Sequence, residues 1–202
     1  MGCKKESDAA AISWHPAGGG AATTEAGWNA VKTAGISMSL PAELVTIDLS
    51  SGDAEKISAD VKAKLPKLPA EVGILKGLAS SGSFKLIAMS PEPVPIGNFK
   101  NNLNVLSMDV PAGQDLDAII NLNKSQLGAL ASSLKFDKRK LPAGDAGCFV
   151  ADLGSGQLKH GDIGYILVHG SKQFVFSFSC ALSDKAEWTK LADKVMNTVH
   201  FD

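Results

Sequence analysis

Apolar residues recur along the chain with two periods, and each run predicts an element. Residues 28–40, WNAVKTAGISMSL, alternate loosely as far as Pro41 and predict a first strand, followed by a short second one over Val45–Leu49. Ile57, Val61 and Leu65 recur at helical spacing behind Asp53 and Glu55, and Pro66 ends the helix they predict. A weaker helix runs from Pro69 through Val72 and Leu75 to about Leu78. It carries Gly73 and Gly77, each less favourable than Ala by about 1 kcal/mol. Strands over Phe84–Met89 and Phe99–Val110 flank the loop SPEPVPIG, where Pro91, Pro93 and Pro95 lack the donor that a central strand needs. Asp115 and Asp117 suit the positive end of a helix reaching about Leu130, with Leu116, Ile119, Ile120, Leu127 and Leu130 on one side. Strands over Gly147–Leu153, Asp162–His169 and Lys172–Ala181 follow, the last two joined by a Gly170-Ser171 turn of the II′ kind. From Ser183 or Asp184, the residues Trp188, Leu191, Ala192, Val195 and Val199 trace the clearest helical stripe in the chain.

The strands set the architecture. In FKLIAM, LNVLSMDV and DIGYILVH, apolar residues occupy both odd and even positions, which predicts a sheet covered on both faces. Strands joined by a tight hairpin pair antiparallel. The expected class is α+β, an antiparallel β-sheet covered by helices on both faces in an α/β/α sandwich. Register through the Gly170-Ser171 turn sets Cys180 opposite Gly161 on the middle strand, while Cys148 lies on that strand's far side. Two strand spacings are about 9.6 Å, beyond the roughly 7 Å reach of a disulfide, so two separate core thiols are expected.

Ahead of these elements the pattern vanishes. Residues 4 to about 26 are Ala, Gly and small polar residues around Gly18-Gly19-Gly20, which predicts a flexible tether over 1–26 before a domain over 27–202. The start Met1-Gly2-Cys3, then Lys4-Lys5-Glu6-Ser7-Asp8, looks like the end of a bacterial lipoprotein signal, with Cys3 lipidated. That reading requires a leader ahead of Cys3. Myristoylation at Gly2 is a rival, but its pattern wants Ser or Thr where Glu6 stands, and a chance Gly-Cys start is another.

Composition narrows the classes. In 202 residues, 45% are apolar, enough for one good-sized core and against global disorder. A net charge of −1 gives no broad electrostatic reason to bind nucleic acid. No apolar run approaches the length of a spanning helix.

Candidate chemistry is sparse. His15, His160, His169 and His200 are dispersed, and the nearest approach to a metal site is His160 with Asp162, better read as a turn histidine. No nucleophile elbow and no Cys-His motif is present, and apolar strands raise a thiol pKa, so no catalytic residue, metal or cofactor is assigned. Gly154, Gly156 and Gly161 precede a strand, whereas a phosphate cradle precedes a helix. Lys135, Lys138, Arg139 and Lys140 form the densest charge cluster, suited to an acidic partner or to guarding an edge strand. Val94 and Ile96 of the proline-rich loop are the other candidate contact residues. Phe174, Phe176 and Phe178 would line any pocket between sheet and helices.

Three stretches resemble the PsbP-like fold family: GISMSLPAEL (Gly35–Leu44), the hairpin DIGYILVHGSKQFVFSFSCAL (Asp162–Leu182), and the last helix with its short apolar finish Asn197–Phe201. The family's first strand usually leads through Pro to a Gly-Trp pair, and that Trp is absent here. The family includes the photosystem II extrinsic subunit, a Ran-binding nuclear-import factor, LpqN-type mycobacterial lipoproteins and bacterial lipoproteins of unassigned role. It shares a scaffold more than a chemistry. The Gly2-Cys3 start, the small-residue linker and the lack of a catalytic constellation, on a scaffold of this kind, lead to the expectation of a monomeric, non-enzymatic binding module, anchored through Cys3 at a bacterial extracytoplasmic membrane (periplasmic or cell surface), that assembles or regulates a protein complex. A small-molecule or lipid binder is the alternative.

Overall fold

Ten strands and four α-helices are found among the described residues, and most follow the sequence periods. The computed structural model describes residues 26–67, 71–92 and 99–202. The expected tether with Cys3, and loop residues Val94 and Ile96, lie outside them. In order, the elements are β1 (Trp28–Thr33), β2 (Ile36–Pro41), β3 (Val45–Asp48), α1 (Ala54–Lys64), α2 (Glu71–Ser80), β4 (Phe84–Met89), β5 (Asn102–Asp109) and α3 (Leu116–Leu130). Then come β6 (Ser133–Leu141), β7 (Gly144–Leu153), β8 (His160–His169), β9 (Lys172–Cys180), α4 (Lys185–Met196) and β10 (His200–Phe201).

The expected first strand is a hairpin instead. Ala34 at φ 48° and Gly35 at φ 78° turn the chain, so β1 and β2 pair antiparallel. With β10 they form a three-stranded sheet, while the remaining strands make a seven-stranded sheet ordered β3-β4-β5-β9-β8-β7-β6. Every pairing is antiparallel. Gly170 has φ 58° while Ser171 keeps a negative φ, as the expected hairpin turn requires.

The two faces of the large sheet are built differently. On the first, Leu86, Leu103, Val105, Ile163, Tyr165, Phe174, Phe176 and Phe178 form one continuous core with α4 and β2. Burying each such side chain contributes about 1.5–3 kcal/mol. The three phenylalanines therefore fill this face rather than line an opening, which corrects the pocket reading. On the second face, α1 and α2 cover Ile47, Ile87 and Met89 at one end, and α3 covers Phe149, Ala151 and Ile166 at the other. Between these clusters β5 alternates buried with half-buried residues, so the helical cover on this face parts over β5. Side-chain caps fix both helix starts that matter here: the Asp53 carboxylate accepts from the Glu55 and Lys56 amides, and Asp115 accepts from Ala118.

The register places Cys180 opposite Gly161 and Cys148 opposite Tyr165, and both thiols are free and buried. Two core thiols were expected, and two are found. Burial pushes Cys148 to about 12 and Cys180 to about 11, so neither is poised as a nucleophile at neutral pH.

Candidate functional site

The basic run lies on β6, a strand not among the elements predicted from the periods. Nine residues of β6 pair with β7 in unbroken register, from Ser133 opposite Asp152 to Leu141 opposite Gly144. β6 ends the sheet, so its outer backbone edge has no strand beside it among the described residues. Leu134 and Phe136 anchor it beneath α3, where the Phe136 and Phe149 rings lie 5.5 Å apart.

The four basic residues divide by what they touch. Lys138 pairs with Asp117 in the first turn of α3. Arg139 turns to the opposite face, where its guanidinium donates to Asp193 on α4 at 2.5 Å and lies 3.7 Å from Asp137. Burial works against the Arg139 charge, but Asp193, joined by Tyr165 and Cys148, holds its pKa above the ordinary value. The Tyr165 hydroxyl donates to the same Asp193 oxygen, so one carboxylate ties β6, β8 and α4 together. Burial, then that bond, raises the tyrosine pKa. Lys135 and Lys140 are exposed and form no ion pair among the described residues. A cleft of about 440 Å³ opens between β6 and the start of α3, lined by Asp115, Asp117, Lys138, Arg139, Lys140 and Asp145. The basic run is thus half locked onto the domain and half presented to solvent.

A second polar site sits where the helical cover parts. On that face Asn102, Ser179 and Asp162 stand in one row across β5, β9 and β8, with Asn104, Ser177 and Gly164 in the next. Gly164 makes room for a ring: a Cβ there would lie 2.0 Å from Cζ of Phe149. Asp162 is 7% exposed and its Oδ1 accepts from Ser177 at 2.7 Å and Ser179 at 3.4 Å. Burial raises its pKa, against the opposing pull of Ser177, His160 and Ser179. His160 does not join it in a metal site. Its ring stacks on Phe99 with centroids 4.4 Å apart and Nδ1 2.9 Å from the Leu158 carbonyl oxygen. His169 stacks on Phe201 instead, and among the described residues no cluster of His, Cys, Asp and Glu could hold a metal.

No model of a known protein family matches the chain, and no curated protein matches it. Solved structures do. The chain is similar to cyanobacterial PsbP (CyanoP) from Synechocystis sp. PCC 6803, with a TM-score of 0.53 and 11% identity, covering 92% of this chain and 98% of that chain. The fold is PsbP-like. A second similar structure is LpqN, involved in cell envelope biogenesis of Mycobacterium tuberculosis, with a TM-score of 0.44 and 7% identity over 57% of this chain and 70% of that one. At such identities the likeness is one of scaffold. The sites on this PsbP-like sheet therefore rest on its own residues: the β6 edge, named in the sequence by its charges, and the Asp162 row, which sequence reasoning missed.

Proposed function

We propose that this chain is a non-enzymatic binding module, lipid-tethered through Cys3 on the extracytoplasmic side of a bacterial membrane, which helps to assemble or regulate a protein complex. The observation that carries the reading is β6: a nine-residue edge with no strand beside it among the described residues, where the Lys138 amide is taken by the Asp137 carboxylate at 2.7 Å, and where Lys135 and Lys140 are exposed and in no ion pair among those residues. An extended segment of a partner adds to such an edge through main-chain hydrogen bonds, and alternate side chains set its specificity. The charges favour an acidic segment, steered first by Lys135 and Lys140. The Gly2-Cys3 start and the small-residue stretch behind it support the tether. Several acyl chains, as on bacterial lipoproteins, hold a membrane firmly where a single chain is marginal.

Two measurements test the halves separately. Affinity capture from solubilised native membranes, with the wild type and Lys135→Glu/Lys140→Glu as baits, should find a partner that the variant retains at least about tenfold less, or about 1.4 kcal/mol. Equal recovery on both baits removes the β6 edge from the account. Intact mass of the membrane-extracted protein should show acyl chains on Cys3, and an unmodified Cys3 in a soluble fraction removes the tether.

A further inference from the structure

Helices laid over a sheet ordinarily meet a continuous apolar layer. Here the layer breaks over β5, β9 and β8, where Asn102, Asn104, Asp162, Ser177 and Ser179 adjoin between two apolar clusters. Asn102, Asn104 and Ser177 are half-buried, so the strip reaches solvent, while the Asp162 carboxyl lies deeper.

The strip's donors are largely spent. Ser177 and Ser179 give their hydroxyl protons to Asp162 Oδ1, Asn104 Nδ2 donates to Asn102 Oδ1 at 2.7 Å, and Asn102 Nδ2 donates to the Lys100 carbonyl at 2.8 Å. Its acceptors are not. Among the described residues nothing donates to Asp162 Oδ2 or to Asn104 Oδ1, and no cation pairs with the carboxyl. Next to Asp162, the His160 ring is held in place by Nδ1, 2.9 Å from the Leu158 carbonyl oxygen. Its stacking on Phe99 adds an aromatic plate.

We propose that this strip is a binding site for a small organic cation whose primary ammonium group is held by Asp162 and Asn104. The ligand must bring the protons, because the site offers acceptors. It must bring positive charge, because a desolvated carboxylate without a cation gains most from one, and charge-assisted hydrogen bonds are the strong ones. The Phe99–His160 plate favours a cation over a neutral ligand. Half-buried Leu106, Val175 and Met108 continue the same face beyond the polar rows and suit an alkyl portion. This site lies on the sheet face, apart from the β6 edge, and stands whether or not that edge docks a partner.

The test is a titration of the full, isotope-labelled chain with n-hexylammonium chloride at pH 7, with 1-hexanol and glucose as neutral controls. Concentrations up to about 10 mM detect a site with Kd of about 1 mM. The expected result is saturable shifts at residues 102, 104, 160, 162 and 177 with the amine alone, and a lower titration midpoint for the Asp162 carboxyl carbon when it is bound. Asp162→Asn keeps an oxygen for Ser177 and Ser179 and should weaken amine binding at least about tenfold, the loss of a charge-assisted bond. Equal shifts with hexanol, preferential shifts with glucose, no saturable response to the amine, or unchanged affinity in Asp162→Asn would each overturn the assignment.

Discussion

The large sheet ends in two edges, and they solve the same problem in opposite ways. β3 is four residues long and closed by its neighbours: Lys64 of α1 donates to the Thr46 carbonyl at 3.0 Å and pairs with Asp60. Asp48 takes the Thr33 hydroxyl and the Ser50 amide, each at 2.9 Å. Burial opposes its charge, yet these hydrogen bonds hold its pKa below the ordinary carboxylate value. β6 is more than twice as long, carries neither a proline nor a register shift, and among the described residues has no strand on its outer side, although the Asp137 carboxylate accepts from the Lys138 amide at 2.7 Å. Shortness and cover are the usual protections of an edge, and charge is the remaining one. At β6 that charge is partly withdrawn into bonds with Asp117 and Asp193. The difference teaches that β3 is closed by length and by neighbouring side chains, whereas β6 leaves most of its protection to charge.

The largest expected effect comes from removing the ring that packs β6 onto the sheet. Phe149 is 4% exposed and fills the space over Gly164 beneath Phe136. Phe149→Ala should cost about 3–5 kcal/mol, read as a lower urea midpoint. Next is the tie to α4. Asp193→Ala leaves the Tyr165 hydroxyl, on a residue 1% exposed, without its acceptor and should cost about 1–3 kcal/mol. Tyr165→Phe, which removes the donor instead, should cost less, and equal losses would contradict the tie.

Between the edges, Asp162 predicts a pH effect. Burial holds its pKa above the ordinary value, so the folded domain binds that proton more tightly than the unfolded chain. Its contribution is therefore fully present below the unfolded pKa of about 3.9 and is lost as pH rises through the folded value. Asp162→Asn should raise the unfolding midpoint at pH 7, with the gain shrinking towards pH of about 3.5. A gain that grows in acid would reverse the sign. The smallest effect belongs to the closed edge: Lys64→Ala should cost below about 1 kcal/mol, because its contacts are solvent-exposed.

The sequence announced its elements wherever one period dominated. The stripes of α1, α3 and α4 and the strand β4 stand where the periods put them except at two ends: Leu130, at the last turn of α3, is 72% exposed, and α4 stops at Met196, so Val199 is buried beyond the helix. The Gly170-Ser171 turn fixed the register that separates Cys148 from Cys180. β6 escaped because its anchors change face: Leu134 and Phe136 pack under α3 while Leu141 packs on the other side, so charge was its visible signal. The β1–β2 hairpin escaped because Ala34 is not a typical residue for a positive φ. The Asp162 row escaped because β5 neighbours β9, a pairing between strands far apart in the chain. Its one local trace was the alternation Asn102-Leu103-Asn104-Val105.

The central claim, that β6 is the docking edge, is tested most directly by placing a photo-crosslinking residue at position 135, at position 140 or, as a control on α1, at exposed position 62, and illuminating intact cells. The account predicts one discrete adduct from 135 and 140 and none from 62. No adduct from either edge position, or the same adduct from 62, would contradict it.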